Sequence, residues 1–206
     1  VGGNVVGLNR AQNARVPNAA SGVSLLGGTR NNLVGYPVPG QFGGNMIAGN
    51  AGAGICIAET GTAGNQISAN LIGTNRSNAG GLGNGAAGIG LYNGPVTNTI
   101  GGDRFSDLGN LIVNNGGPGV DLANGNTRNN TIAGNIIGAN PSTNAAMPNG
   151  IGIRMYGGTL SNTVGGAVPG LANVLSGNAS HGIGLYNSGT ISNVVVGNVI
   201  GANLTG

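Results

Sequence analysis

The feature that most limits what this chain can fold into is a tetrad, Gly-aliphatic-x-aliphatic, that returns six times at near-constant spacing. It reads Gly22-Val23-Ser24-Leu25, Gly54-Ile55-Cys56-Ile57, Gly88-Ile89-Gly90-Leu91, Gly119-Val120-Asp121-Leu122, Gly150-Ile151-Gly152-Ile153 and Gly182-Ile183-Gly184-Leu185, with starts 32, 34, 31, 31 and 32 residues apart. A period of this length marks a solenoid or related array, in which one repeat is one supersecondary unit. A second element, Asn-x-aliphatic, follows each tetrad at Asn32, Asn65, Asn98, Asn130, Asn162 and Asn193. A third, Asn-x-aliphatic-x-x-Asn, spans 4–9, 45–50, 70–75, 110–115, 135–140, 173–178 and 198–203.

Each unit therefore holds three short segments with the in/out alternation of strands, separated by turn residues. Units also alternate in where they grow. Three carry a loop between the second and third segments (36–44, 103–109, 167–172), and the others carry it after the third (10–21, 76–87, 141–149). A single rung cannot bury its apolar face, but stacked rungs can. The expected fold is all-β: a three-sided parallel β-helix of about six rungs, starting near residues 22, 54, 88, 119, 150 and 182, after a partial rung over 1–21. It forms one domain over 1–206, right-handed by the general rule for parallel crossovers. The tetrad's two aliphatic positions point inward, and its middle position (Ser24, Cys56, Gly90, Asp121, Gly152, Gly184) points out.

Composition agrees with this. Gly contributes 46 and Asn 33 of the 206 residues, the two types that best tolerate φ > 0 at corners. A hydrophobic share of 39% and a net charge of +3 are wrong for a disordered chain, which combines low hydrophobicity with high charge. Seven scattered Arg without Lys form no basic run, so nucleic acid is not an expected partner. No apolar stretch approaches the roughly 20 residues that span a bilayer. One Cys excludes an internal disulfide. A chain opening at Val1 reads as a mature or excised segment.

The Asn columns have a structural rationale. Corners leave backbone groups that no flat ladder satisfies, and stacked Asn amides can bond to one another up the axis. The sequence predicts one axial column through Asn4, Asn45, Asn70, Asn110, Asn135, Asn173 and Asn198, and another from Asn9 through Asn50, Asn75, Asn115, Asn140 and Asn178 to Asn203. The sequons at Asn75, Asn178 and Asn203 would then be shielded. On the tetrads and Asn motifs, the chain resembles the right-handed parallel β-helix repeat family of the pectate-lyase-like superfold, especially its Asn/Gly-rich non-catalytic members in bacterial surface proteins.

Chemistry is sparse. Acid/base cleavage of glycosides needs two carboxyls about 5–9.5 Å apart, and the acids are only Glu59, Asp103, Asp107 and Asp121. Asp103 and Asp107 share a loop with Arg104 and read as solvated. Glu59 and Asp121 occupy different offsets two rungs apart. Hard cations need several oxygen ligands, which four scattered acids do not provide. His181, the sole His, precedes a tetrad and reads as a corner residue, while Cys56 reads as an outward lone thiol. Tyr92 and Tyr186 share an offset, as aromatics on a carbohydrate-binding face would. Thr99, Thr131 and Thr163 form one outward column, broken by Gln66 and Val194; ice-binding solenoids use two.

These residues lead to the expectation of no catalytic, cofactor or metal site and no enzyme. The reading is a structural module of an extracellular, fibre-forming surface protein. Its partners would be copies of itself stacked head to tail, since no capping repeat is evident at either end, and cell-surface polysaccharide. The alternative is a polysaccharide-binding or polysaccharide-processing β-helix.

Overall fold

A computed structural model describes residues 2–37 and 44–202. Among these residues nineteen short strands, β1 to β19 in chain order, form three parallel sheets. The first sheet stacks β1 (Val5–Val6), β4 (Met46–Ile47), β7 (Leu71–Ile72), β10 (Leu111–Ile112), β13 (Ile136–Ile137), β16 (Val174–Leu175) and β19 (Val199–Ile200). The second stacks β2 (Val23–Leu25), β5 (Ile55–Ala58), β8 (Ile89–Tyr92), β11 (Val120–Ala123), β14 (Ile153–Tyr156) and β17 (Ile183–Tyr186). The third stacks β3 (Leu33–Val34), β6 (Gln66–Ile67), β9 (Thr99–Gly101), β12 (Thr131–Ala133), β15 (Thr163–Gly165) and β18 (Val194–Val196). Every strand pairs with its counterpart in each adjacent rung, the end strands on one side only, as in the predicted β-solenoid.

The inward aliphatics form one continuous core. Ile47, Ile72, Ile112 and Ile137 from the first sheet meet Ile55, Ile57, Ile89, Leu91, Val120 and Leu122 from the second and Ile67, Ile100, Ile132 and Val164 from the third, all 0% exposed. At roughly 1.5–3 kcal/mol per buried side chain, this column is the main apolar driving force. On the last rung the inward residues Leu185, Val195 and Ile200 are 45%, 44% and 52% exposed.

The fifth rung differs from the expected frame. Its strand is Ile153–Tyr156, and Ile153 and Met155 pair with Val120 and Leu122 below and Ile183 and Leu185 above. The tetrad is therefore Gly152-Ile153-Arg154-Met155, and Ile151 is not a core position. The corner explains the shift. In the other rungs the corner Asn precedes the tetrad Gly by four residues, as in Asn84 and Gly88 or Asn178 and Gly182. From Asn149 a tetrad at Gly150 would leave no chain to turn the corner, whereas Gly152 leaves two residues.

Asn ladders bind the rungs. In the first column the side-chain Nδ2 of each Asn donates to Oδ1 of the next: Asn4 to Asn45 at 2.8 Å, Asn45 to Asn70 at 2.9 Å, Asn70 to Asn110 at 3.0 Å, Asn110 to Asn135 at 2.8 Å, Asn135 to Asn173 and Asn173 to Asn198 at 2.9 Å. Backbone N–H groups donate to the same oxygens, as from Asn70 to Asn110 Oδ1 at 3.0 Å. A further ladder runs through Asn32, Asn65, Asn98, Asn130, Asn162 and Asn193.

The remaining column corrects the sequence reading. It runs through Asn18, Asn50, Asn84, Asn115, Asn149 and Asn178, without Asn9, Asn75 or Asn140; Asn203 lies outside the described residues. Where a loop follows the third strand, the Asn before it turns the loop. Asn75 Oδ1 accepts from the backbone of Ser77 and Ala79, Asn9 Oδ1 from Asn13 and Ala14, and Asn140 Oδ1 from Ser142 and Thr143. The chain rejoins the ladder only after the loop, because the amide must stand directly over its neighbour. Sequon Asn75 is buried all the same, its Nδ2 donating to Gln12 O at 2.9 Å.

Loops also decide which outer faces stay open. Met46, Leu71, Leu111 and Ile136, outward on the first sheet, are buried and cluster with Val113 and with Met147 of loop 141–149. The second and third sheets keep uncovered outer faces.

Asn110→Ala is expected to cost about 3 kcal/mol or more in chemical denaturation, because it strands the amide groups of Asn70 and Asn135 and Ile67 O in a buried corner. Asn140→Ala, outside the ladder, should cost about 1 kcal/mol or less. Equal losses would contradict the ladder assignment.

Candidate functional site

Strand register brings together what the sequence keeps apart. On the outer face of the second sheet one column holds Ser24, Cys56, Gly90, Asp121, Arg154 and Gly184. The next outward column holds Ala58, Tyr92, Ala123, Tyr156 and Tyr186. Successive rungs stand about 4.8 Å apart, so these side chains are neighbours despite some 30 intervening residues.

Asp121 is the centre of the face. Its side chain is 5% exposed and receives two parallel bonds from Arg154, Nε to Oδ1 at 2.8 Å and Nη2 to Oδ2 at 2.9 Å. This fork geometry is what guanidinium and carboxylate match best. From the rung below, the Tyr92 hydroxyl donates to Oδ2 at 3.1 Å. Burial, then the adjacent Asp121 carboxylate, push the Tyr92 phenol well above its ordinary range. The hydrogen bond to Asp121 raises the Arg154 guanidinium further, against the opposing effect of burial.

Two glycines make this geometry possible. A Cβ on Gly90 would stand 2.3–2.5 Å from the Tyr92 ring and hydroxyl, and one on Gly184 equally close to Tyr186. Each Tyr thus lies back over the glycine two residues before it. Arg154 stacks on the Tyr156 ring, Cζ 4.5 Å from the centroid. Beyond it Tyr186 meets the His181 ring edge-on at 6.4 Å, with its hydroxyl 3.5 Å from Nδ1. The Ser180 hydroxyl reaches the same nitrogen at 2.5 Å. Ile151, Arg154, Tyr156, Tyr186 and Asn187 line an open groove of about 230 Å³.

The guanidinium has five N–H donors, and Asp121 takes two. Three remain, and Arg154 lines the groove with its side chain 34% exposed. A planar cationic donor flanked by two phenol rings suits a polar ligand with flat faces and anionic groups, such as a sugar acid.

The other candidates lie elsewhere. Asp103 caps the short 3-10 turn Arg104–Ser106, accepting from Phe105 N at 2.9 Å, while Arg104 Nη1 reaches Ala172 O at 3.3 Å in the loop two rungs on. Asp107 ends the same turn in the left-handed region at φ 57. Glu59 sits at an exposed corner at φ 76. Cys56 points outward and half-buried, its thiol raised by burial and then by Glu59. Thr99, Thr131 and Thr163 align on the third sheet between Gln66 and Val194. Arg154 and Tyr156 escape the sequence reading because the fifth-rung frame placed Gly152 on the outward column. The spacing from Asn149 was the signal that could have found them.

No protein-family model matches the sequence, and neither does any curated protein. The architecture defines a class all the same, the right-handed parallel β-helix. Among solved structures the fold is similar to the A-module of mannuronan C-5 epimerase AlgE4 of Azotobacter vinelandii, at 15% identity and a TM-score of 0.59, over 89% of this chain and 50% of that one. It is also similar to a double mutant of the periplasmic alginate epimerase AlgG, at 17% identity and a TM-score of 0.58, over 88% of this chain and 36% of that one. The chain thus spans half or less of the length of these neighbours. They correct one expectation: the chain was read as a non-enzyme with the non-catalytic members of its fold, yet the structures it matches are enzymes. The scarcity of carboxylates argued against glycoside hydrolysis, but C-5 epimerisation does not need such a pair.

Arg154→Ala is expected to destabilise the fold by about 2–3 kcal/mol, somewhat less than the 3–5 typical of a fully buried pair, by leaving Asp121 unpaired. Asp121→Asn combined with Arg154→Gln should restore most of the loss, as a double-mutant cycle in denaturant would show. Tyr92 supplies a pH test. The folded state keeps the phenol proton beyond the ordinary value near 10, so its contribution is complete below about pH 10 and declines as pH rises above it. The melting temperature should fall above that pH, and Tyr92→Phe should flatten the fall.

Proposed function

We propose that this chain is the β-helix of a polysaccharide-processing protein that seats an acidic polymer on the outer face of the second sheet. The observation that carries this is the groove lined by Arg154, Tyr156 and Tyr186, in which Arg154 is fixed by Asp121, stacked on Tyr156 and left with three further donors. Tyrosine faces take sugar rings, and the guanidinium takes a uronate carboxylate. A fold shared with enzymes acting on alginate supports this reading over the fibre-forming one. A setting outside the cytoplasm goes with it, and among the described residues no helix is long and apolar enough to cross a membrane.

Epimerisation at C-5 of a uronate removes and returns the proton beside the carboxylate. Such a proton becomes removable when the charge developing on that group is stabilised by a fixed cation, the role of Arg154. The Tyr186 hydroxyl takes the C-5 proton as it passes its own to His181 Nδ1; water on the opposite, open face of the sugar returns a proton to C-5, and the proton on His181 restores that water through solvent. Tyr92 and Asp121 hold the guanidinium without touching the polymer.

Affinity electrophoresis in gels containing alginate, pectate or a neutral glucan tests the binding. Retardation is expected in the acidic polymers alone. Asp121→Asn with Arg154→Gln should weaken it about tenfold or more, equivalent to about 1.4 kcal/mol, and Tyr156→Ala should weaken it too. No retardation by any acidic polymer, or an unaltered double variant, would defeat the proposal. NMR of mannuronan incubated with the protein reads the chemistry, with Tyr186→Phe expected to abolish inversion while retaining binding.

A further inference from the structure

Among the 33 Asn of this chain, five precede glycine: Asn84, Asn93, Asn115, Asn124 and Asn149. Asn-Gly is the dipeptide most open to intramolecular attack on the side-chain amide, since glycine places no Cβ in the way of its own nitrogen. The five differ in what the fold does with that nitrogen.

Three are ladder residues. Asn84, Asn115 and Asn149 are 1–2% exposed, and each donates Nδ2 to the next amide at 2.9–3.0 Å. The following glycine nitrogens are tied as well: Gly85 to Asn50 O at 2.8 Å, Gly116 to Asn84 O at 2.9 Å and Gly150 to Gly117 O at 2.9 Å. Asn93 is exposed, but Gly94 N donates to the buried Thr127 hydroxyl at 3.1 Å. Asn124 and Gly125 are both exposed, and a Cβ on Gly125 would meet nothing within 4 Å. Among the described residues the Gly125 N–H has no acceptor. One exposed bond, Asn124 Nδ2 to Asn93 Oδ1 at 2.6 Å, is all that restrains the amide.

We infer that Asn124 is the site of spontaneous deamidation in the folded protein. The Gly125 nitrogen attacks Asn124 Cγ, a C–N bond forms, and the side-chain nitrogen leaves with the displaced proton as ammonia. Solvent water then opens the cyclic imide at either carbonyl to give aspartate or isoaspartate. No other reactant is needed. The product places a carboxylate at the corner directly after β11, the strand that carries Asp121.

Peptide mapping by mass spectrometry after incubation of the intact protein at mildly alkaline pH tests this. Deamidation at Asn124 is expected to be at least about tenfold faster than at Asn84, Asn115 or Asn149, a difference of about 1.4 kcal/mol in barrier. In urea the five sites should converge. Gly125→Ala, which the open space accommodates, should slow Asn124 alone. The inference is overturned if a ladder Asn reacts first, if the preference for Asn124 persists unchanged in the unfolded chain, or if Gly125→Ala leaves its rate as it was.

Discussion

Everything in this molecule depends on amides standing directly above amides. A β-helix must turn three corners per rung, and each corner takes backbone N–H and C=O groups out of the sheet ladders. Unpaired in a buried corner, each would cost about 1–3 kcal/mol. The Asn side chain carries two donors and an acceptor on one planar group, so one column satisfies its own rungs and the backbone beside them. Asn70 shows the full pattern: Nδ2 donates to Asn110 Oδ1 and to Val34 O and Ser68 O, while its Oδ1 receives the backbone and side chain of Asn45. The inward aliphatics drive collapse, but they do not distinguish one register from another two residues away. The amide columns do.

That demand for vertical alignment sets where loops can be inserted. A loop can leave the ladder only between two rung positions and must return to the column at an Asn. Asn75 leaves and Asn84 returns; Asn140 leaves and Asn149 returns. Loops therefore gather over the first sheet, burying its outer aliphatics, and leave the second sheet free. Regular stacking on that open face then sets Asp121 beneath Arg154 and aligns Tyr92, Tyr156 and Tyr186 without any loop to shape them. The groove is a by-product of register.

The side chains of this open face are held from behind. Asp121 is buried and orients Arg154. Tyr92 completes the shell of Asp121, and Gly90 makes room for Tyr92. Replacing a buried pair by apolar residues is often neutral or stabilising. Retaining Asp121 and Arg154 points to a use for the guanidinium beyond stability.

How much was legible beforehand differs by level. Tetrad period, inward aliphatics, three-sided rung and first Asn column are all local periodicities, and a stacked fold turns a sequence period directly into a spatial column. The second column differs from the sequence expectation because the Asn five residues after each first-column Asn recurs in every unit, whereas closure of the corner selects the later Asn just before the tetrad Gly, as at Asn84 and Asn149. The same ambiguity carried into the fifth rung, where Gly150-Ile151-Gly152-Ile153 satisfies the alternation as well as Gly152-Ile153-Arg154-Met155. A shift of two residues keeps every side chain on its face, so pattern alone cannot detect it. The sequence by itself determined the β-helix and its core, because those follow from period and hydrophobicity. The tertiary structure alone decided that Arg154 meets Asp121 between tyrosines, because that contact depends on register between rungs some 30 residues apart, and register is set by where the amides can stack.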